Sequence, residues 1–208
     1  MSSETRLQVS SAAVSSVSSR PLAWLRITGI VLFASLFVAL CAHVALPLYF
    51  TPVPLTLQPF AVLLIGLLLS PRLAAASLIA YLGEGALGLP VFAPAGPASA
   101  VGLAHLFGPT GGYLLAYPFA AMLISMLYQR SRRGFVAALL SATAGNLLIL
   151  SVGALWLWIL THASAGFVLM QSVIPFLPGD ALKVIAAASV AAGWHRWRDR
   201  GLPSSHIA

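Results

Sequence analysis

Three features of the sequence predict an all-α, polytopic integral membrane protein with about six transmembrane helices. Of 208 residues, 60% are hydrophobic and 7% are charged, and the mean hydropathy is +0.96. The apolar stretches are continuous rather than alternating, the pattern of helices and not of a membrane β-barrel. Basic residues stand in short clusters between those stretches: Arg20 and Arg26, Arg72, Arg130 to Arg133, and Arg196 to Arg200. Their alternation places both termini in the cytoplasm. The net charge of +7 is therefore a topology signal, since no basic domain is present to engage a nucleic acid. Cys41 is the single cysteine, which excludes an internal disulfide.

Residues 1–20 are rich in serine and poor in large apolar groups, so they are expected to form a disordered cytoplasmic tail. Residues 21–195 form the membrane domain, and residues 196–208 a basic cytoplasmic tail. The first span runs from about Leu22 to Leu48. Its apolar part is longer than the roughly 7–15 residues of a signal-peptide core, so it reads as a span. On it Ser35, Ala39 and Ala42 form a stripe of small side chains that another helix could approach closely.

Leu46 to Gln58 contains Pro47, Pro52 and Pro54 and the pair Tyr49 and Phe50, the chemistry of a non-helical outer loop at the interface. Thr51, Thr56 and Gln58 are its hydrogen-bonding groups. Gln58 opens the next apolar run, either as a helix-start residue at the headgroups or as a buried amide in need of a partner. Phe60 to Leu69 is a short second span. Pro71 favours the start of a third, to about Leu87, and Arg72 marks the inside. Near the outer end of that span, Glu84 lies among Gly83, Gly85 and Gly88. It reads as an interfacial carboxylate in preference to a ligand contact, because charges near helix ends escape to water.

Leu89 to Gly112 keeps apolar anchors such as Phe92 and Phe107 over more than about 15 residues, which suggests a functional loop, with His105 outside. A fourth span follows Tyr113 and ends before Arg130. The fifth, from about Phe135 to Leu160, carries Asn146 beside Ala142 and Gly145, where an amide is either interhelical glue or a cavity-lining donor. Trp156, Trp158 and His162 mark its outer end. The sixth begins in Pro175-Phe-Leu-Pro-Gly-Asp-Ala-Leu-Lys183 and runs to Trp194. There Pro178 and Gly179 should break a regular helix, so that Asp180 caps the one that follows with Lys183 three residues on. An acid and a base at membrane depth mark a functional site by default; the plainer reading is a cap with an ion pair near the interface.

Five segments together resemble the BioY family, the biotin-binding S components of energy-coupling-factor transporters. They are Thr51-Pro-Val-Pro-Leu-Thr-Leu-Gln58, Gly85-Ala-Leu-Gly-Leu-Pro-Val-Phe-Ala93, Gly108-Pro-Thr-Gly-Gly-Tyr-Leu114, Gly145-Asn-Leu-Leu148 and Phe176-Leu-Pro-Gly-Asp-Ala-Leu-Lys183. The similarity covers residues 23–193, and Pro94 to Ala104 departs from the family pattern. It implies a six-helix S-component fold in a bacterial cytoplasmic membrane. Biotin would bind from outside, and a transmembrane coupling subunit with two ATP-binding subunits would drive transport. On this resemblance Asp180 would accept a ureido N–H and Asn146 would donate to the ureido oxygen. Lys183 would orient Asp180 or meet the ligand carboxylate, while Tyr113, Thr51 and Gln58 would close over the valeryl chain. Ser35 and Ala39 would dock the coupling subunit.

No cofactor or metal is expected, and neither the Gly-x-x-x-x-Gly-Lys-Ser/Thr phosphate loop nor a hydrolase motif is present, so the chain reads as a non-enzyme whose ATP is hydrolysed by partners. The alternative is a proton-coupled carrier for a small vitamin-like acid, with Asp180 or Glu84 as the proton site. Action without a coupling module, as an oligomer of the chain with itself, stays open.

Overall fold

The computed structural model describes the backbone of residues 3–94 and 101–200, and the side chains of 22–94 and 101–199. Eight helices follow in order among them: α1 (Ser3–His43), α2 (Gln58–Leu68), α3 (Pro71–Ala86), α4 (Leu103–Leu106), α5 (Gly111–Gln129), α6 (Phe135–Thr161), α7 (Ala165–Ser172) and α8 (Leu177–Arg200). α1 takes in most of the segment expected to be a disordered tail. Residues 201–208 lie outside the described part, and so does 95–100 of the Pro94 to Ala104 interval.

The six longer helices follow the order of the expected spans, but α1 starts far before Leu22 and α8 runs past Trp194, and the helices are unequal. Among the described residues, α5, α6 and Leu22–His43 of α1 are long and apolar enough to cross a membrane; α7 and α8, bent by 48°, together make a fourth candidate. α2 and α3 have 11 and 16 residues, short of the roughly 20 that a crossing takes. Prolines set their limits. Pro59 lies at the start of α2, and Ser70 is held extended before Pro71, which opens α3. The proline-rich chain before α2 folds back as a small hairpin. β1 (Ala45–Leu46) pairs antiparallel with β2 (Leu55–Thr56), in the register Ala45 to Thr56.

Small residues decide how closely the helices pack. Between α5 and α6, a Cβ on Gly112 would overlap Trp156, one on Gly145 would overlap Ile124, and one on Gly153 would overlap Tyr113. These glycines are needed for the contact, as in other close crossings in lipid. The outward face of the bundle is apolar, with Phe33, Leu36 and Leu40 of α1 and Leu147, Leu155 and Trp158 of α6 exposed. That is the reverse of a soluble bundle and fits a lipid environment.

The small-residue stripe of α1 turns inward. Ser35, Ala39 and Ala42 are buried, and the Ser35 hydroxyl donates to the Glu84 carboxylate of α3. The face expected to dock a coupling subunit is thus used for packing within the chain. Glu84 is not the free interfacial carboxylate expected from its position. It is half-buried and hydrogen-bonded, because close approach of α1 brings a hydroxyl to it.

Candidate functional site

At the end of the bundle away from Arg72 and Arg130, the hairpin loop, α5, α6 and the start of α8 enclose a cavity. It is lined by Val53, Pro54, Thr56, Gln58, Pro59, Ala93, His105, Thr110, Tyr113, Leu114, Tyr117, Ile149, Leu150, Phe176, Asp180 and Lys183. The cavity has a volume of about 50 Å³. That is room for a few waters.

The charged end of the cavity comes from the first turns of α8. Helix α8 begins at Leu177, so Asp180 lies in its first turn and does not cap it. Its backbone N–H donates to the Phe176 carbonyl at 2.8 Å. Pro178 and Gly179 do not interrupt the helix as expected, because a proline in a first turn loses only an N–H that has no partner there. The helix N-terminus also favours the negative charge of Asp180. Lys183 Nζ donates to Asp180 Oδ1 at 2.9 Å, and both residues are buried. Asn146 Nδ2 of α6 donates to Asp180 Oδ2 at 3.2 Å. Two buried charges satisfied in this way are tolerable, whereas either one alone would be costly.

Of the two readings of Asn146, the structure has the interhelical bond, from α6 to α8, and not the cavity-lining donor. It is absent from the cavity wall; its amide nitrogen is committed to Asp180, and its Oδ1 is buried without a hydrogen bond. It positions the carboxylate. The other side of the cavity carries a relay of neutral groups. Thr56 Oγ1 donates to Gln58 Oε1 at 3.3 Å, Gln58 Nε2 donates to the Tyr81 hydroxyl, and that hydroxyl donates to the Val91 carbonyl at 3.0 Å. Gln58 is thus a satisfied buried amide and not a headgroup-facing residue. Tyr113 presents its ring to the cavity while its hydroxyl donates to the Ser172 carbonyl at 2.6 Å. Thr51 lies outside the cavity, where its hydroxyl donates to the Gln171 carbonyl at 2.7 Å and ties the hairpin loop to α7.

Sequence reasoning missed three ring-bearing members of the wall, His105, Tyr117 and Phe176. His105, expected outside, is buried; its ring stacks on Phe92 at 4.9 Å, and its Nε2 lies 3.4 Å from Thr110 Oγ1. Tyr117 and Phe176 fill the apolar side. Tyr117 follows Tyr113 by one helical turn, a spacing that puts both on one face and could have identified it. Nothing in the local pattern separates His105 from an exposed loop histidine.

The model of the BioY family matches residues 12–200. A protein of Pyrococcus horikoshii named probable biotin transporter BioY is 40% identical over 158 residues, 76% of this chain and 90% of that protein. The biotin transporter BioY of Rhodobacter capsulatus is 34% identical over 187 residues, covering 85% of this chain and 96% of its own length. A crystal structure described as the S-component for biotin from an ECF-type ABC transporter aligns with a TM-score of 0.73 and 27% identity, over 85% of this chain and 93% of that one. With a family match over nearly its whole length, and relatives of this identity across most of both sequences, the chain belongs to the BioY family.

Proposed function

We propose that the chain binds biotin in the cavity beneath the hairpin loop and carries it across the bacterial cytoplasmic membrane, as the substrate-binding S component of an energy-coupling-factor transporter. The observation that carries this reading is the Asp180–Lys183 pair, which opens on an otherwise largely apolar cavity. Biotin has an apolar bicycle, a ureido group with donors and an acceptor, and a carboxylate. A mostly apolar site with few fixed polar groups suits such a molecule. An ionised carboxylate has about four acceptor positions and an ammonium has three donors. Two of the former and one of the latter are taken within the protein. Asp180 is left able to accept a ureido N–H, and Lys183 able to donate to the ligand.

The names of the relatives and the likeness to a biotin S-component support the substrate. The absence of a phosphate-binding loop in the sequence supports partners, a transmembrane coupling subunit and two ATP-binding subunits, as the source of energy. The test is equilibrium binding of labelled biotin to the purified chain, with uptake measured with and without a coupling module. Saturable binding at one site per chain is expected. No binding by the folded protein would reject the reading.

A further inference from the structure

A groove of about 620 Å³ runs along the outside of the bundle between α1 and α2. It keeps to the half of the molecule away from the cavity. Leu64 and Leu68 in its wall belong to the end of α2 remote from Gln58, and Arg26 stands beside them on α1. Arginines such as Arg26 and Arg72 mark this end as the cytoplasmic one. From Arg26 to Phe37 the helix rises about 16 Å, close to half of the roughly 30 Å of hydrocarbon in a bilayer. The groove therefore has the depth of one leaflet.

Its occupant is indicated by two residues. Arg26 is the single polar side chain of the wall, it is exposed, and no carboxylate pairs with it among the described residues. The carboxylates described are Glu84, bonded to Ser35, Asp180, paired with Lys183, and Asp199 near the end of α8. An anion for Arg26 thus comes from outside the chain. Gly29 follows Arg26 on the same face of α1, and a Cβ on it would meet nothing within 4 Å. Glycine weakens a helix relative to alanine. Unlike the glycines between α5 and α6, this one makes room for no part of the chain.

We propose that the groove seats one anionic phospholipid of the inner leaflet, with its phosphate paired to the Arg26 guanidinium and an acyl chain laid past Gly29 toward Phe37. A guanidinium presents two parallel N–H donors to a phosphate. Phosphatidylglycerol leaves its charge for the arginine, whereas phosphatidylcholine carries its own counter-charge. The inference is independent of the biotin reading, since groove and cavity share no residue.

The test is native mass spectrometry of the full chain, released from micelles that hold equal amounts of phosphatidylglycerol and phosphatidylcholine with the same acyl chains. One phosphatidylglycerol per chain should be retained in preference. Arg26→Gln should lower that preference about five-fold. Gly29→Leu, which fills the groove, should lower retention of both lipids. Arg72→Gln, at an exposed arginine outside the groove, should leave retention unchanged. Equal retention of the two lipids, an equal loss in Arg72→Gln, or full retention in Gly29→Leu overturns the lipid site. Retention untouched by any variant, with uptake through a coupling module lost in Gly29→Leu, would give the groove to a partner helix and overturns it as well.

Discussion

Asp180 is shared between two helices and a cavity, and its partners decide what a substitution there reads. If it accepts a ureido N–H, that bond is charge-assisted and worth about 1.5–3 kcal/mol, so Asp180→Asn should weaken biotin binding about ten- to a hundred-fold. Part of any loss could come from Lys183, left as a buried base without its acid. The double variant Asp180→Asn with Lys183→Met separates the causes, and calorimetry on folded protein measures them. Affinity that stays low means direct recognition; recovery to the original value would mean that Asp180 serves only Lys183. The pair itself was legible, because three residues on a helix put both groups on one side. For Asn146 the interhelical role was one of two readings, and its partner was not legible. Its spacing marked a small-residue face on α6, but which residue of another helix that face meets is set by a contact 34 positions away in sequence.

At the scale of elements, the glycines of α5 and α6 connect packing to the site. Gly153 leaves room for the Tyr113 ring, and Tyr113 both lines the cavity and holds α7 through the Ser172 carbonyl. Gly153→Ala should therefore push the ring inward, at an overpacking cost of about 1–3 kcal/mol, and lower biotin affinity along with the melting temperature. Gly29→Ala, where a Cβ meets nothing within 4 Å, is the control and should change neither. Helix α1 makes the opposite point about legibility. Its small-residue stripe was visible, but the pattern says only that something approaches closely; the structure shows that α3 does, with Ser35 bonded to Glu84. Ser35→Trp should then reduce folded protein, binding and uptake together. Binding retained with uptake lost would restore a docking role for that face.

For the whole molecule, helix order and the alternation of arginines predict Arg72, Arg132 and Arg198 inside, with Tyr49 and His162 outside. Single cysteines at these positions in a Cys41→Ala background should react with an impermeant thiol reagent in intact cells only at 49 and 162; labelling at 132 would invert the arrangement. His105 is a poor reporter, being buried. The order of the helices and the charged end of the site could be read from hydropathy and proline positions, since these are local properties. The short second and third helices, the inward histidine and the hairpin loop over the cavity depend on how loops fold over the bundle end, which local pattern does not encode.

The narrowness of the inner cavity, about 50 Å³ in volume, has an electrical consequence. A few waters do not make a continuous wire through hydrocarbon, and ions cross only where water or fixed polar groups replace their hydration. A membrane filled with this protein and no partner should hold its proton gradient as well as an empty one. Vesicles loaded with a pH-sensitive dye check this: the gradient should decay at the same rate with and without the protein, and a faster decay would mean that the resting cavity is wetter than its walls indicate.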